Sequence, residues 1–454
     1  MKFCLTLAAV ALLGAVTLEA HAQQPWLADR RYGEGIGVRV GNLELHPGIS
    51  AELGYDSNYF LRAPSEDPLS AFRIRVTPAI SLSTLGPQRR ENGAPAPPSD
   101  VAFRAGAYVS YNELIATDSK HQSEMADQRH VDMGGDLMLT MFNTGRAGVD
   151  VYGNGVRTVQ PSNDTNTEQA FNRDTVRGGG GITWRPGGGL FDWRLGGEVT
   201  YNYFEKSNFK FLNNYQPSAN MRGRWRFLPR TAVLYDGTYT WIRYSNPSTQ
   251  VDGSILTSRI GLNGLITSRL SALALVGWAG TFYDTPTTGQ KPQQFDSLTA
   301  QAELKYFLGG EGTGAFNPGS VPVGLSYVAA GFTRDVQNSY LGSFYERDRG
   351  YLGVSYFLGG VYVITLTGGV ANLRFPSYTV PSSTPGATGA AATNQDPFSE
   401  QRVDATLFTE YRLSNTFGVN GTVGYEQNIT DVTIANDALK YSRWQVFLGA
   451  RYFL

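Results

Sequence analysis

Apolar and polar residues alternate with a period of two through most of the chain. From residue 72 to residue 82 the even-numbered positions are apolar, and the odd-numbered positions include Arg73 and Arg75. Similar alternation runs through residues 101–111, 131–141, 191–203, 215–227, 403–413, 417–425 and the final 442–454. This period predicts β-strands with one apolar and one polar face. Runs of about ten residues or more exceed a typical soluble strand and suit a tilted strand that crosses a bilayer.

The links between these strands alternate in length. Tight links occupy residues 143–146, 186–189, 227–230, 267–269, 357–360 and 413–415, and longer polar links lie near 115–127, 160–172, 205–212, 245–251, 284–293, 336–341, 375–396 and 429–437. Short turns on one side and long loops on the other are typical of outer-membrane barrels, with the short side periplasmic. We therefore predict an all-β chain: a transmembrane, up-and-down, antiparallel β-barrel of the outer-membrane type.

The strand count follows from the same pattern. Strand starts are predicted near residues 47, 70, 99, 127, 145, 172, 190, 211, 230, 251, 269, 293, 319, 340, 359, 397, 414 and 437. That gives eighteen strands, and an even number leaves both termini on the periplasmic side. Links 86–98 and 309–318 are long although they fall on the short side, so sixteen strands remain an alternative.

The N-terminal segment has the pattern of a secretory signal peptide. A lysine precedes an apolar run, and Ala20 and Ala22 form the small-residue cleavage site, which predicts a signal peptide at residues 1–22. Residues 23–46 are then a periplasmic segment and residues 47–454 a single barrel. The only cysteine, Cys4, lies in the removed part, so the mature chain has no disulfide. A formal net charge of −1 gives no attraction for nucleic acid.

The last residues resemble a known assembly signal. Gly449, Tyr452 and Leu454 fit the C-terminal β-signal of bacterial outer-membrane proteins, a glycine followed by spaced aromatic or apolar residues. The chain departs from that pattern in ending on Leu rather than Phe. The resemblance implies recognition by the barrel-assembly machinery and closure of the barrel by the last strand.

A second resemblance lies in the first predicted strand. Residues 41–60 resemble the opening of the beta-barrel porin 2 family, in which an apolar stretch and a proline lead into Tyr-Asp-x-Asn, here Tyr55, Asp56, Ser57 and Asn58. Some members of that family are linked to exopolysaccharide or capsule loci. The resemblance therefore implies a role in polymer export, with periplasmic polysaccharide-export proteins as partners.

The polar strand faces supply the candidate pore lining. On the predicted facing, the inner wall collects more cations than anions. Its basic residues are Arg73, Arg75, Arg104, Arg177, Arg185, Arg194, Arg222, Arg224, Arg226, Arg259, Lys305, Arg347, Arg349, Arg402, Arg412 and Arg451. Its acidic residues are Asp132, Asp136, Asp150, Asp192, Glu198, Asp236, Glu303, Asp404, Glu410 and Glu426. Either these charges pair and only stiffen the wall, or unpaired ones set ion selectivity.

No residue constellation indicates catalysis. Only four histidines occur, and the His121-Gln-Ser123 sequence lies in a polar loop without the strand context that a nucleophile and its base require. No cofactor or metal is predicted, and the chain is predicted not to be an enzyme.

The predicted function is a porin-like channel that assists export of an exopolysaccharide or capsule polymer. Two alternatives stay open: a general or anion-preferring diffusion porin for small solutes, and a structural or adhesion barrel with a closed lumen. Each places the protein in the outer membrane of a Gram-negative bacterium, in contact with lipid and lipopolysaccharide.

Overall fold

The chain forms a closed β-barrel. The computed structural model describes residues 37–84, 100–160, 171–205, 207–245, 251–285, 294–308, 326–339, 344–359, 361–380, 393–434 and 437–454. Within these ranges, eighteen long strands form one sheet. In chain order they are β1 (Leu43–Asp56), β2 (Ala71–Thr84), β3 (Val101–Ala116), β4 (His130–Met141), β5 (Ala147–Gln160), β6 (Phe171–Trp184), β7 (Phe191–Phe204), β8 (Asn214–Leu228), β9 (Thr231–Tyr244), β10 (Gly253–Leu265), β11 (Leu270–Tyr283), β12 (Asp296–Phe307), β13 (Tyr327–Asn338), β14 (Phe344–Leu358), β15 (Tyr362–Phe375), β16 (Phe398–Arg412), β17 (Phe417–Ile429) and β18 (Tyr441–Phe453).

Every strand pairs antiparallel with its neighbour in the sequence, and β18 pairs back onto β1. This closing ladder runs from Gly48 opposite Phe453 to Asp56 opposite Gln445. Closure leaves the long strands without a free edge, which removes the aggregation hazard of an aromatic strand at the chain terminus. The predicted fold class and the count of eighteen strands are confirmed.

Four strand starts differ from the prediction by four residues or more: those of β1 and β13, and those of β14 and β18, which begin at Phe344 and Tyr441 rather than near residues 340 and 437. Strand β1 begins at Leu43, four residues before the predicted start, because Leu43 already pairs with Thr84 of β2. Strand β13 begins at Tyr327 rather than near residue 319. Most of the two long links on the short side, and Ala20 and Ala22 of the predicted cleavage site, lie outside the described residues.

Short elements decorate the links. They are the strand Val38–Val40 beside β1, the helix Gln122–Ala126, the 3-10 turns Pro64–Glu66, Ser119–His121, Gly187–Gly189 and Ser207–Leu212, and the strand pairs Tyr378–Val380 with Thr393–Gln395 and Thr433–Ile434 with Asp437–Ala438. Among the described residues, no helix is long and apolar enough to cross a membrane.

The barrel wall has two chemically different faces. Directly opposed residues in a ladder share a face, so the register assigns each strand residue to one side. The outer face carries apolar side chains that are more than half exposed, among them Leu53, Val276, Leu298, Val370 and Leu448. The inner face carries the charged and polar residues, which are much less exposed. The alternation read from the sequence thus predicts the facing of the strands.

The two ends of the barrel also differ. We call the end with links 142–146, 185–190, 229–230, 266–269, 359–361 and 413–416 the short-link end, and the other the mouth. Strand β1 starts and β18 ends at the short-link end. On the outer face near this end, aromatic rings stack, as in the pair Phe191 and Trp225 with centroids 5.8 Å apart. Aromatic rings at this position are typical of the interfacial girdle of an outer-membrane barrel.

Candidate functional site: the inner wall

Three arginines form a ladder on the inner face of β8. Arg222, Arg224 and Arg226 are spaced by two residues, so they lie on one face roughly 6.6–7 Å apart along the strand. Arg222 Nε lies 3.5 Å from Asp236 Oδ1 of β9, and Arg224 Nη2 donates to Asp192 Oδ2 of β7 at 2.7 Å. The neighbouring strands therefore supply carboxylates to at least two steps of the ladder.

One of these carboxylates is shared. Asp236 also accepts a hydrogen bond from Arg259 Nη2 of β10 at 2.6 Å, so it faces two guanidinium groups. The Nε atoms of Arg222 and Arg259 are buried and have no hydrogen-bond partner in the described part of the chain. One negative charge between two positive charges leaves this stretch of wall cationic.

The strands beside the ladder carry bidentate pairs. Arg194 Nε and Nη2 donate to Asp150 at 2.8 and 2.5 Å, and its Nη1 donates to Asn220 Oδ1 at 2.7 Å. Arg177 Nη2 donates to Glu198 at 2.6 Å. Planar guanidinium and carboxylate groups in this arrangement fix both side chains.

The closing seam carries the most buried pairs. Arg443 of β18 donates to both carboxylate oxygens of Asp56 of β1, at 2.9 and 2.5 Å, and Gln445 Nε2 donates to Asp56 Oδ2 at 2.9 Å. Arg73 Nη1 lies 3.5 Å from the same carboxylate. Asp56 and Arg443 therefore join the first and last strands through side chains as well as through the backbone ladder.

Two further carboxylates form ion pairs with arginines beside the seam. Glu52 pairs with Arg75 at 2.6 Å, and Glu410 accepts from Arg451 at 2.5 Å and from Arg412 at 2.8 Å. Other predicted wall residues are also paired: Arg104 lies 3.3 Å from Asp136, Arg402 lies 3.1 Å from Glu400, Arg349 lies 2.8 Å from Asp404, and Lys305 lies 3.2 Å from Glu303.

The structure corrects the predicted charge balance. Arg185 lies in a link rather than on a strand, and its Nη1 donates to the carbonyl of Asn143 at 3.4 Å. The strand register also places charged residues on the inner face that were not among the predicted wall residues: Glu44, Glu52, Asp56, Arg173, Asp335, Glu400 and Arg443. More carboxylates than arginines are added, so the predicted excess of cations shrinks. Along β1, Leu45, Ile49 and Leu53 point outward. Strict alternation therefore identifies its acidic residues as inward-facing.

The residues of the predicted assembly signal lie on both faces of β18. Tyr452 and Leu454 are exposed on the outer face. Gly449 faces inward, where a Cβ atom would come within 2.6 Å of Asn420 Oδ1 and Glu52 Cγ. A larger residue here would have to displace side chains of both neighbouring strands, which favours glycine.

Other chemistry is not evident. His121 Nδ1 lies 3.3 Å from Glu124 Oε2 in the link after β3, which is an ordinary loop contact. Within the described ranges, no group of three or more His, Cys, Asp and Glu side chains is arranged to hold a metal ion.

The fold resembles solved outer-membrane barrels at low identity. The outer membrane protein opdK from Pseudomonas aeruginosa is 9% identical, with 90% of this chain and 99% of that chain covered and a TM-score of 0.43. OpdQ from the same organism is 9% identical, with 91% and 99% covered and a TM-score of 0.44. The siderophore receptor PirA, also from P. aeruginosa, is 10% identical, with 90% and 80% covered and a TM-score of 0.41. No protein-family model and no curated protein sequence matches the chain. The likeness therefore concerns the barrel architecture alone, and the resemblance to the beta-barrel porin 2 family stays a prediction.

Proposed function

We propose that this protein is a porin-like channel of the Gram-negative outer membrane that passes small polar solutes and prefers anions. The observation that supports the proposal is the division of a closed eighteen-strand wall into an exposed apolar outer face and a charged inner face. Barrels of this size leave an interior too wide for side chains to fill, which favours an aqueous path.

The outer face supports insertion into a bilayer. Along β14, the outward residues Leu352, Val354, Tyr356 and Leu358 are apolar, whereas Asp348 on the same face lies nearer the mouth. Arg334 and Arg374 of the neighbouring strands pair with Asp348 at 3.3 and 3.0 Å. Charged side chains on the lipid side cost least near the membrane interface, so this cluster of charges fits the level of the lipid headgroups.

The inner face supports the anion preference. On the inner face of β7–β10, five arginines (Arg194, Arg222, Arg224, Arg226 and Arg259) stand with three carboxylates (Asp192, Glu198 and Asp236). Their guanidinium forks match the oxygen atoms of carboxylates and phosphates. Charged side chains that line a pore set its selectivity when they are not fully neutralised.

Conductance in a planar bilayer tests the proposal. Purified, heat-modifiable barrel should give discrete conductance steps, and the reversal potential in a salt gradient should show anion preference. A folded barrel without conductance would instead favour the closed structural barrel. The polymer-export function depends on the sequence resemblance alone, and no described contact favours it over small-solute diffusion.

A further inference from the structure

The link between β1 and β2, residues 57–70, folds into the mouth of the barrel. Tyr59 and Phe60 are almost completely buried and pack in one cluster with Leu69, Leu114 and Met125. Leu114 belongs to the inner face of β3. A link that packs on this residue lies inside the mouth, where it occupies part of the entrance. We call residues 57–70 the entrance link.

The start of the entrance link is fastened to the last strand. Ser57 N donates to the carbonyl of Trp444 at 2.9 Å, and Ser57 Oγ accepts from Trp444 N at 2.7 Å. Asn58 Nδ2 donates to the carbonyls of Ser442 at 3.2 Å and Arg62 at 2.7 Å, and Asn58 Oδ1 accepts from Arg62 N at 3.0 Å. A single buried amide therefore joins the seam to the turn of the link. The Tyr-Asp-x-Asn sequence thus has a structural role at the strand end.

The middle of the entrance link contacts two other links at the mouth. Arg62 Nη2 donates to Glu124 at 2.6 Å in the link after β3, and Glu66 Oε1 accepts from Ala438 N at 3.1 Å in the link before β18. Leu61 and Asp67 have positive φ values of 56° and 55°, which cost free energy in non-glycine residues. The hydrogen bonds to Glu124 and Ala438 hold the backbone in this strained conformation, so the sequence of the link specifies its inward fold.

The entrance link places the aromatic ring of Tyr59 beside a cation. The Tyr59 ring lies 5.8 Å from Arg73 Cζ, and burial raises the pKa of the Tyr59 phenol to about 12. Its hydroxyl is buried and has no hydrogen-bond partner among the described residues. The link therefore brings both bulk and a polar group to the inner side of the mouth.

The opposite side of the mouth is narrowed as well. Val336 and Phe344, on the outer face of β13 and β14, pack against Tyr283 and Phe295, which belong to the inner face of β11 and β12. An outer face can meet an inner face only if the end of the β13–β14 hairpin is tucked inside the ring. In a ring of eighteen strands, β11 lies across from β2, where the entrance link packs.

We propose that the entrance link sets the size limit of the channel and that Asn58 is its positioning residue. This inference rests on the proposed channel function and adds the element that selects solutes by size. Release of the link should widen the mouth without changing the charges of the inner wall.

The test compares two variants with a matched control in the full-length barrel. Asn58→Ala removes the amide that ties the link to the seam. Arg62→Ala cuts the tie to Glu124 and leaves the seam intact, so it provides the test if Asn58→Ala assembles poorly. Asn143→Ala is the control and removes an exposed side-chain amide at the short-link end, where Asn143 Nδ2 donates to Thr140 Oγ1 at 3.0 Å.

We expect both mouth variants to form heat-modifiable barrel, to conduct more per channel, and to admit larger neutral sugars in liposome swelling; Asn143→Ala should behave as wild type. Folded mouth variants with wild-type conductance and size limit would overturn the inference. If wild-type barrel is closed and the mouth variants conduct, the inference holds and the open-channel proposal fails. If none of the barrels conducts, both fail.

Discussion

The closing seam and the β7–β10 wall use the same chemistry at very different exposure. At the seam, the side chains of Arg443 and Asp56 are 9% and 0% exposed, and those of Arg451 and Glu410 are 4% and 2% exposed. On the β7–β10 wall, Arg222 is 32% exposed and Arg224 is 19% exposed. Identical residue types therefore have different roles, because burial decides how much a lost partner costs and whether a solute can approach the charge.

The seam and the β7–β10 wall also differ in how completely their charges are neutralised. Asp56 is surrounded by two arginines and a glutamine, so its negative charge is well compensated. Asp236 is one carboxylate between Arg222 and Arg259 on a partly exposed wall. The seam pairs hold two strands together, whereas the wall retains positive charge toward the lumen. The following experiments separate these two roles.

Deletion of Tyr452–Leu454 should have the largest effect. It removes the seam pairs of Phe453 with Gly48 and of Tyr452 with Ile49, the bond from Leu454 N to the Pro47 carbonyl, and the residues of the predicted assembly signal. We expect no heat-modifiable barrel in outer-membrane fractions. Leu454→Phe is the control, since it restores the usual last residue and should assemble normally. A normal barrel yield from the truncated chain would contradict both the assembly signal and the importance of the seam.

Arg443→Ala should destabilise the barrel strongly but allow assembly. It leaves a fully buried Asp56 carboxylate with Arg73 at 3.5 Å and Gln445. Loss of one partner of a buried ion pair typically costs about 3–5 kcal/mol. The matched variant Arg224→Ala breaks a partly exposed pair and should cost about 1 kcal/mol or less. Urea unfolding in detergent measures both. Equal losses would show that exposure does not distinguish the seam from the wall.

The wall architecture could be predicted from the sequence because it depends on local periodicity. A period of two fixes which residues face inward, and the outer-membrane strand length follows from the same runs. The positions of Arg73, Arg194 and Arg222 on the inner face required only this alternation. Glu52 and Asp56 on β1 obey the same alternation.

The pairing and the inward links could not be predicted in this way. The Arg443–Asp56 pair joins residues 387 positions apart, and it exists only because β18 closes on β1. Likewise, Arg194 reaches Asp150 across β6, which depends on the register of three strands. The inward path of the entrance link depends on contacts with Ser442, Glu124 and Ala438. Sequence periodicity contains no information on such distant partners.

Replacement of Arg222, Arg224 and Arg226 by Gln should have the smallest effect on folding and a measurable one on selectivity. Gln keeps a polar but uncharged side chain on the inner face, so the barrel should assemble. Adjacent charges of the ladder, about 6.6–7 Å apart, lie within a Debye length of each other at physiological salt, so loss of all three should shift the reversal potential toward cations.

Asp236→Asn provides the opposite change at the same place. It removes the carboxylate shared by Arg222 and Arg259, so one unit of negative charge is lost and the reversal potential should move toward anions, by less than the triple variant moves it toward cations. Low salt makes both shifts larger, because screening is weaker. If both variants fold and conduct with unchanged selectivity, the wall charges are structural like those of the seam, and the anion preference is wrong. If only the triple variant shifts, the ladder sets selectivity and Asp236 does not modulate it.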